Sequence, residues 1–151
     1  EGRSQEHDMK VRKAAPADAE QCAEISPMRP AGELENLLTH PNVKWVVLEN
    51  DEGVVIGTGI IHLWPWNKMA WVWDLTIEKK ERGKGKGAIL LEGMIAAARE
   101  MGARVLMDVE LPRQTSLVRL YLENGFRVCG TNDRWFACDK DATAVFYGYD
   151  L

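Results

Sequence analysis

Hydrophobic positions change their period several times along this chain, and each change marks an element. Lys10–Ala14 reads as a short strand ending at Ala15-Pro16. Pro16-Ala17-Asp18 suits a helix start, and apolar Ala19, Cys22, Ala23 and Ile25 follow it at helical spacing. Pro27 and Pro30 break that helix. Ala31–Thr39 predicts a second one with Leu34, Leu37 and Leu38 on one face, stopped by His40-Pro41-Asn42. Val43–Glu49 then reads as a strand, Asn50–Gly53 as a hairpin turn and Val54–Leu63 as the return strand. Within it, Gly57 and Gly59 predict a bulge or a close backbone approach.

Trp64–Lys68 is expected to be a loop and Ala70–Ile77 the next strand. Helix Gly87–Met101 carries Ile89, Leu90, Leu91, Met94, Ile95 and Ala98, and Gly102 sits at its end. Arg104–Val109 predicts a strand, Thr115–Glu123 a helix ended by Asn124-Gly125, Phe126–Thr131 a strand and Thr143–Tyr149 a last strand. The order is β-α-α-β-β-β-α-β-α-β-β, with antiparallel hairpins first and two strand–helix–strand units after them. It predicts an α/β (α+β) fold, one domain with a mixed, mostly antiparallel sheet and helices on both faces. Glu1–Asp8 is polar and patternless. We expect it to be a tag or disordered N-terminal remnant, leaving residues 9–151 as the domain.

Composition narrows the class further. A chain of 151 residues with 46% hydrophobic and 28% charged residues can bury one core. It has no apolar run of the roughly 18 residues that span a bilayer, so no membrane partner is expected. Without residues 1–8 there are 18 bases and 20 acids, a balance of −2, which gives no reason to expect a nucleic-acid partner. Cys22, Cys129 and Cys138 are odd in number and lack metal-ligand spacing, and His7, His40 and His62 form no cluster with them. Free thiols in a reducing cytoplasm and no metal are the expectation.

One loop carries the chemistry. Arg82-Gly83-Lys84-Gly85-Lys86-Gly87-Ala88 joins a strand to the longest helix. Its glycines let the backbone turn tightly, and the first N–H groups of the helix favour an anion there. Arg82, Lys84 and Lys86 add positive charge, extended by Lys79 and Lys80. The turn is therefore a phosphate cradle. A nucleotide P-loop needs G-x-x-x-x-G-K-[ST], but Ala88-Ile89 stands where lysine and hydroxyl belong. A dinucleotide fingerprint needs G-x-G-x-x-G, and Gly85-Lys86-Gly87 runs on into Ala88-Ile89-Leu90.

The pattern R-x-x-G-x-G/A fits, as Arg82-x-x-Gly85-x-Gly87. It resembles the coenzyme A motif of the Gcn5-related N-acetyltransferases, and Leu120–Phe126 is similar to that family's LYxxxGF. The resemblance runs from Lys10 to Leu151. Trp66–Leu75, Gly130–Asp133 and Ala144–Tyr147 are further similar to the streptothricin acetyltransferase branch. The resemblance implies acetyl-CoA as co-substrate and direct transfer of its acetyl group to a primary amine. Small cationic acceptors, antibiotic-like or polyamine-like, stand beside protein lysines and N-termini and beside a non-catalytic acetyl-CoA-binding module. A nucleic-acid binder using Lys79–Lys86 is a further reading, and a homodimer is left open.

The resemblance also implies roles. Leu75 and Ile77 would offer backbone groups to the pantetheine arm with Thr76 between them, in a V-shaped gap between Trp73–Ile77 and Val105–Val109. The amides of Arg82, Gly83, Lys84, Gly85, Lys86, Gly87 and Ala88 would hold the pyrophosphate. Gln114 stands where the family has an asparagine on the cofactor. Tyr121 is the candidate general acid for the departing thiolate.

Asp74, Asp108 and Glu110 lie at strand ends flanking the acetyl group, and Asp74 ranks first as base. Strict alternation would put Asp74 on the wrong face, so a bulge is expected beside it. Trp64 and Trp66 are expected to line the acceptor pocket with Asp74 and Glu110, where rings and carboxylates suit a cationic amine. Trp71 and Trp73 are expected in the core, and His62 as a strand residue with a satisfied ring.

Overall fold

The computed structural model describes residues 9–136 and 142–151. The expected remnant Glu1–Asp8 and Cys138 lie outside the described residues. The strands are β1 Lys10–Lys13, β2 Val43–Glu49, β3 Val55–Trp64, β4 Met69–Ile77, β5 Val105–Glu110, β6 Arg127–Asn132 and β7 Ala144–Asp150. The helices are α1 Ala19–Ile25, α2 Ala31–Leu37, α3 Lys86–Glu100 and α4 Thr115–Glu123. One seven-stranded sheet runs in the order β1-β2-β3-β4-β5-β7-β6. Among the described residues, only β4 and β5 pair in parallel.

Alternation along the central strands builds two cores, one on each face. Val46, Leu48, Ile56, Ala70 and Val72 point to one side and meet Leu90, Leu91, Met94 and Ala98 of α3. Val43, Trp45, Val47, Val55 and Ile60 point to the other and meet Ala19, Cys22 and Ile25 of α1 and Leu34 of α2. Leu90, Leu91 and Met94 are wholly buried, each worth about 1.5–3 kcal/mol relative to exposure. The close approach expected at Gly59 is real: a Cβ there would lie 2.6 Å from Met94 Sδ, so α3 rests on bare β3 backbone.

Polar contacts set the elements' relative placement. Asp18 Oδ2 accepts from the Ala15 amide at 2.7 Å, capping the turn before α1. Arg12 donates to both Asp18 oxygens at 2.8 and 2.9 Å and to Glu49 Oε2 at 2.7 Å, tying β1, β2 and the start of α1 together. Arg12 holds the Asp18 carboxyl below its ordinary range. Asn50 Oδ1 accepts from the amides of Glu52 and Val54 across the β2–β3 turn.

The second expected strand–helix–strand unit is split. β5 and β6 do not pair, because β7 lies between them, antiparallel to both. Side-chain environment explains the order: Ala144 and Tyr147 of β7 are buried, whereas β6 is exposed along nearly its whole length and suits an edge.

Candidate functional site

β4 and β5 pair only through Met69–Val105, Ala70–Leu106 and Trp71–Met107. Beyond those pairs they splay. The gap therefore lies between Trp73–Ile77 and Asp108–Glu110, farther along β5 than the sequence suggests, because Val105–Met107 are consumed in pairing. Asp74, Thr76, Asp108 and Glu110 border this opening, whereas Trp64 pairs with Met69 at the opposite, paired end of β4 and β5, with Trp66 near it.

The expected bulge sits at its lip. Ile60 pairs with Asp74 but Ile61 pairs with Val72, so Trp73 is an extra residue in β4. Val72 and Leu75 face the α3 side, whereas Trp73 packs with the α1–α2 core. Asp74 follows Trp73 onto that side, and its buried carboxyl bonds with the Ser26 hydroxyl. Thr76 Oγ1 donates to Asp74 Oδ1 at 2.6 Å, so Thr76 braces Asp74 as well as lying on the gap edge. Burial raises the Asp74 carboxyl above its ordinary range despite these donors and nearby Arg29.

Across the gap, Asp108 and Glu110 share one face of β5 and are hydrogen-bonded to each other. Tyr121, fully buried on α4, donates its hydroxyl to Asp108 Oδ2 at 2.5 Å. The Val109 amide donates to Asp108 Oδ1 at 2.7 Å. Burial, then the Glu110 charge, drives the Asp108 carboxyl well up, and burial raises Glu110. The Tyr121 phenol is pushed well above its usual value by burial and then by Asp108, with Glu110 and Asp74 adding to it. Acids from both lips thus act on one hydroxyl. A hydrogen-bonded chain of Glu110, Asp108 and Tyr121 results. Glu110 belongs to β5 rather than to the loop after it.

The glycine loop closes the gap's far end. Gly83 and Gly85 have φ of 77° and 78°, and a Cβ on either would meet open space. Gly85 caps α3 without any side-chain acceptor, so the first amides of α3 are left to a ligand. This fits a pyrophosphate. The cations are partly committed within the loop: Arg82 Nε donates to the Ile77 carbonyl at 2.9 Å, Lys86 bonds Glu81, and Lys84 lies 3.7 Å from Glu81. Gly87 lies against Leu120 of α4, and Ala88 is in the first turn of α3. Gln114 is an exposed N-cap of α4 whose backbone N–H donates to the Leu111 carbonyl and whose own carbonyl accepts from the Val118 amide.

The tryptophans form a wall on the sheet face opposite α3. Trp64 lies 6.4 Å from Trp66 and 5.3 Å from Trp71 between ring centroids, and Trp71 contacts Trp135 and Phe146. Trp66 is 81% exposed. Trp71 and Trp73 are only half-buried, contrary to expectation: the small and branched Ala70 and Val72 take the α3 side, leaving the indoles to the face that α1 and α2 cover incompletely. His62 stacks on Trp73 at 4.4 Å, and its Nδ1 is buried without a partner among the described residues, so its ring is not satisfied as expected. A hollow of about 290 Å³ lies elsewhere, between α2 and β2, lined by Leu37, His40, Trp45 and Met101.

Sequence reasoning placed Asp108 behind Asp74 and passed over Arg29. Only the fold reveals the Tyr121–Asp108 contact, since it joins a helix to a strand. Arg29 lies between two breakers, Pro27 and Pro30, in a segment with no periodic pattern to weigh it by.

The acetyltransferase (GNAT) family profile matches residues 10–126. No curated protein matches the sequence. Among solved structures, a phosphinothricin N-acetyltransferase, so described provisionally, superposes with a TM-score of 0.76 at 24% identity, covering 95% of this chain and 98% of its own. A nourseothricin acetyltransferase gives 0.73 at 19% identity, covering 95% and 98%. The yncA acetyltransferase of Salmonella typhimurium, solved with acetyl-CoA, gives 0.78 at 21% identity, covering 95% and 94%.

Proposed function

The chain belongs to the GNAT family of acetyl-CoA-dependent acetyltransferases, and on that premise we propose that it moves the acetyl group directly onto the primary amine of a small molecule. The observation that carries this reading is the hydrogen-bonded chain of Glu110, Asp108 and Tyr121 at the mouth of the β4–β5 splay.

Acetyl-CoA supplies the acetyl group as a thioester. Residues 82–88 hold its pyrophosphate through backbone amides, and the unpaired lips of β4 and β5 take its arm. The remaining work is proton handling. The acceptor arrives as an ammonium ion, attracted by Asp74 and Glu110, and sheds one proton to solvent before it attacks. Glu110, partly open to solvent and ionised at the outset, takes the second proton as nitrogen bonds the thioester carbon. Tyr121 Oη gives its own proton to the departing sulfur, and Asp108 returns one to it from Glu110. One proton enters at the amine and one leaves at sulfur, so the chain ends as it began. High Tyr121 and Asp108 pKa values suit this, because both must hold a proton until the transfer, whereas Glu110 starts without one.

The test is a thiol-release screen with acetyl-CoA and small amines, lysine-bearing peptides and N-terminal peptides as acceptors. Turnover on small amines at least tenfold above peptides supports the reading. Acetyl-CoA binding with no turnover on any amine would identify a binding module instead, and turnover on peptides alone would move the acceptor to proteins.

A further inference from the structure

Three buried side-chain polar atoms lack a hydrogen-bond partner among the described residues: Arg29 Nη1, His62 Nδ1 and Trp71 Nε1. Buried polar groups nearly always find partners, so three orphans are worth locating. Two of them share a strand pair, and the third borders the same aromatic stack. His62 and Trp71 are register partners on β3 and β4. Trp73, two residues farther on, stacks on His62 at 4.4 Å with an interplanar angle of 9°. Arg29 Cζ, from the α1–α2 connection, lies 5.5 Å from the Trp73 ring centroid.

The chemistry of these orphans has one sign. Guanidinium and indole nitrogens donate and cannot accept. Burial and the neighbouring His40 keep the His62 ring toward its neutral form, and its one N–H can sit on Nδ1. Asp74 does not use up Arg29, because its carboxylate already bonds the Thr76 and Ser26 hydroxyls and the Leu75 backbone. The natural partner is an oxygen-rich anion, and carboxylate matches a guanidinium best when paired side by side. Asp74 close by would repel a bare anion. It would welcome a molecule that carries its own ammonium.

We propose that Arg29, lying against Trp73 and near Asp74, forms a subsite for a carboxylate on the acceptor, and that the acceptor is an amino acid or a similar small zwitterion. The amine points toward the Asp74 and Glu110 lips, and the carboxylate turns toward Arg29. This rests on the acetyl-transfer reading and sharpens it, since it disfavours polyamines, which carry no anion.

The experiment measures thiol release from acetyl-CoA with each common L-amino acid, its amide and its decarboxylated amine. For the best acceptor, kcat/KM of the acid should exceed that of the amide by about tenfold or more, the usual worth of one charge-assisted pair. Arg29→Gln should cut the acid-over-amide preference by about 10- to 100-fold, mainly through KM, and Arg29→Lys should recover part of it. Quenching of tryptophan fluorescence by the amino acid, with coenzyme A present, should weaken by the same factor in Arg29→Gln. A KM for acetyl-CoA like that of the parent shows the variant folded. Amides or amines turned over as well as acids, or an Arg29→Gln loss equal for acid and amide, overturns the subsite while leaving acetyl transfer standing. No thiol release in any arm, with acetyl-CoA bound, overturns both.

Discussion

Replacing Tyr121 with phenylalanine separates a catalytic hydroxyl from a structural one. The ring is fully buried, 4.8 Å from Phe126 and 6.0 Å from Tyr147 between centroids, and phenylalanine keeps both contacts without opening a cavity. What disappears is the donor at 2.5 Å from Asp108 Oδ2. Its other oxygen keeps the Val109 amide. One buried acceptor left unpaired costs about 1–3 kcal/mol. Asp108 can carry its own proton in this setting, which argues for the lower half of that range.

The rate should respond on a different scale. A positioned general acid contributes about 10²- to 10⁴-fold, so kcat should fall by at least about a hundredfold, equivalent to about 2.7 kcal/mol of barrier. The KM for acetyl-CoA should move little, because the loop proposed to hold pyrophosphate does not contain Tyr121. Urea unfolding followed by tryptophan fluorescence gives the stability change, and thiol release at saturating acetyl-CoA gives kcat. A variant that loses 1–3 kcal/mol but keeps kcat within threefold would refute the reasoning, leaving the hydroxyl a packing feature.

Two other expectations concern proton content and backbone geometry. Asp108 and Glu110 hold their carboxyls above the ordinary value of about 4. Between that value and the raised one the folded chain binds more protons than the unfolded, so the pair's contribution to stability is fullest below about pH 4 and declines as pH rises. Asp108→Asn keeps an acceptor for Tyr121 and should flatten this decline in pH-dependent urea unfolding; an unchanged slope would refute the pairing. Gly85→Ala forces φ near 78° on a residue with a Cβ, a cost of about 1–2 kcal/mol. Nothing crowds that Cβ, so the effect should arise from loop geometry. The KM for acetyl-CoA should rise about tenfold, whereas Gly32→Ala in α2 should leave it alone.

Why some of this was legible in the sequence and some was not has a physical basis. Periodicity reports which face of an element is dry, so every helix and strand could be read to within a residue or two, including the glycines on which α3 rests. It does not report pairing partners. β7 therefore lodged between β5 and β6 unforeseen, and the Tyr121–Asp108 contact stayed hidden. The tryptophans misled for a related reason: a large apolar ring at alternate positions signals a face, not whether anything covers it. Asp74 is the instructive case. Its place in the chain contradicted its expected role, and the contradiction itself predicted the bulge. One extra residue, Trp73, turns Asp74 to the α1–α2 side just past the last β4–β5 pair at Trp71. The same insertion presents the indole that Arg29 and His62 flank. The lip proposed to receive the amine and the surface proposed to read its carboxylate thus follow from one local departure from strand geometry, and a substitution that restored regular pairing there would disturb both together.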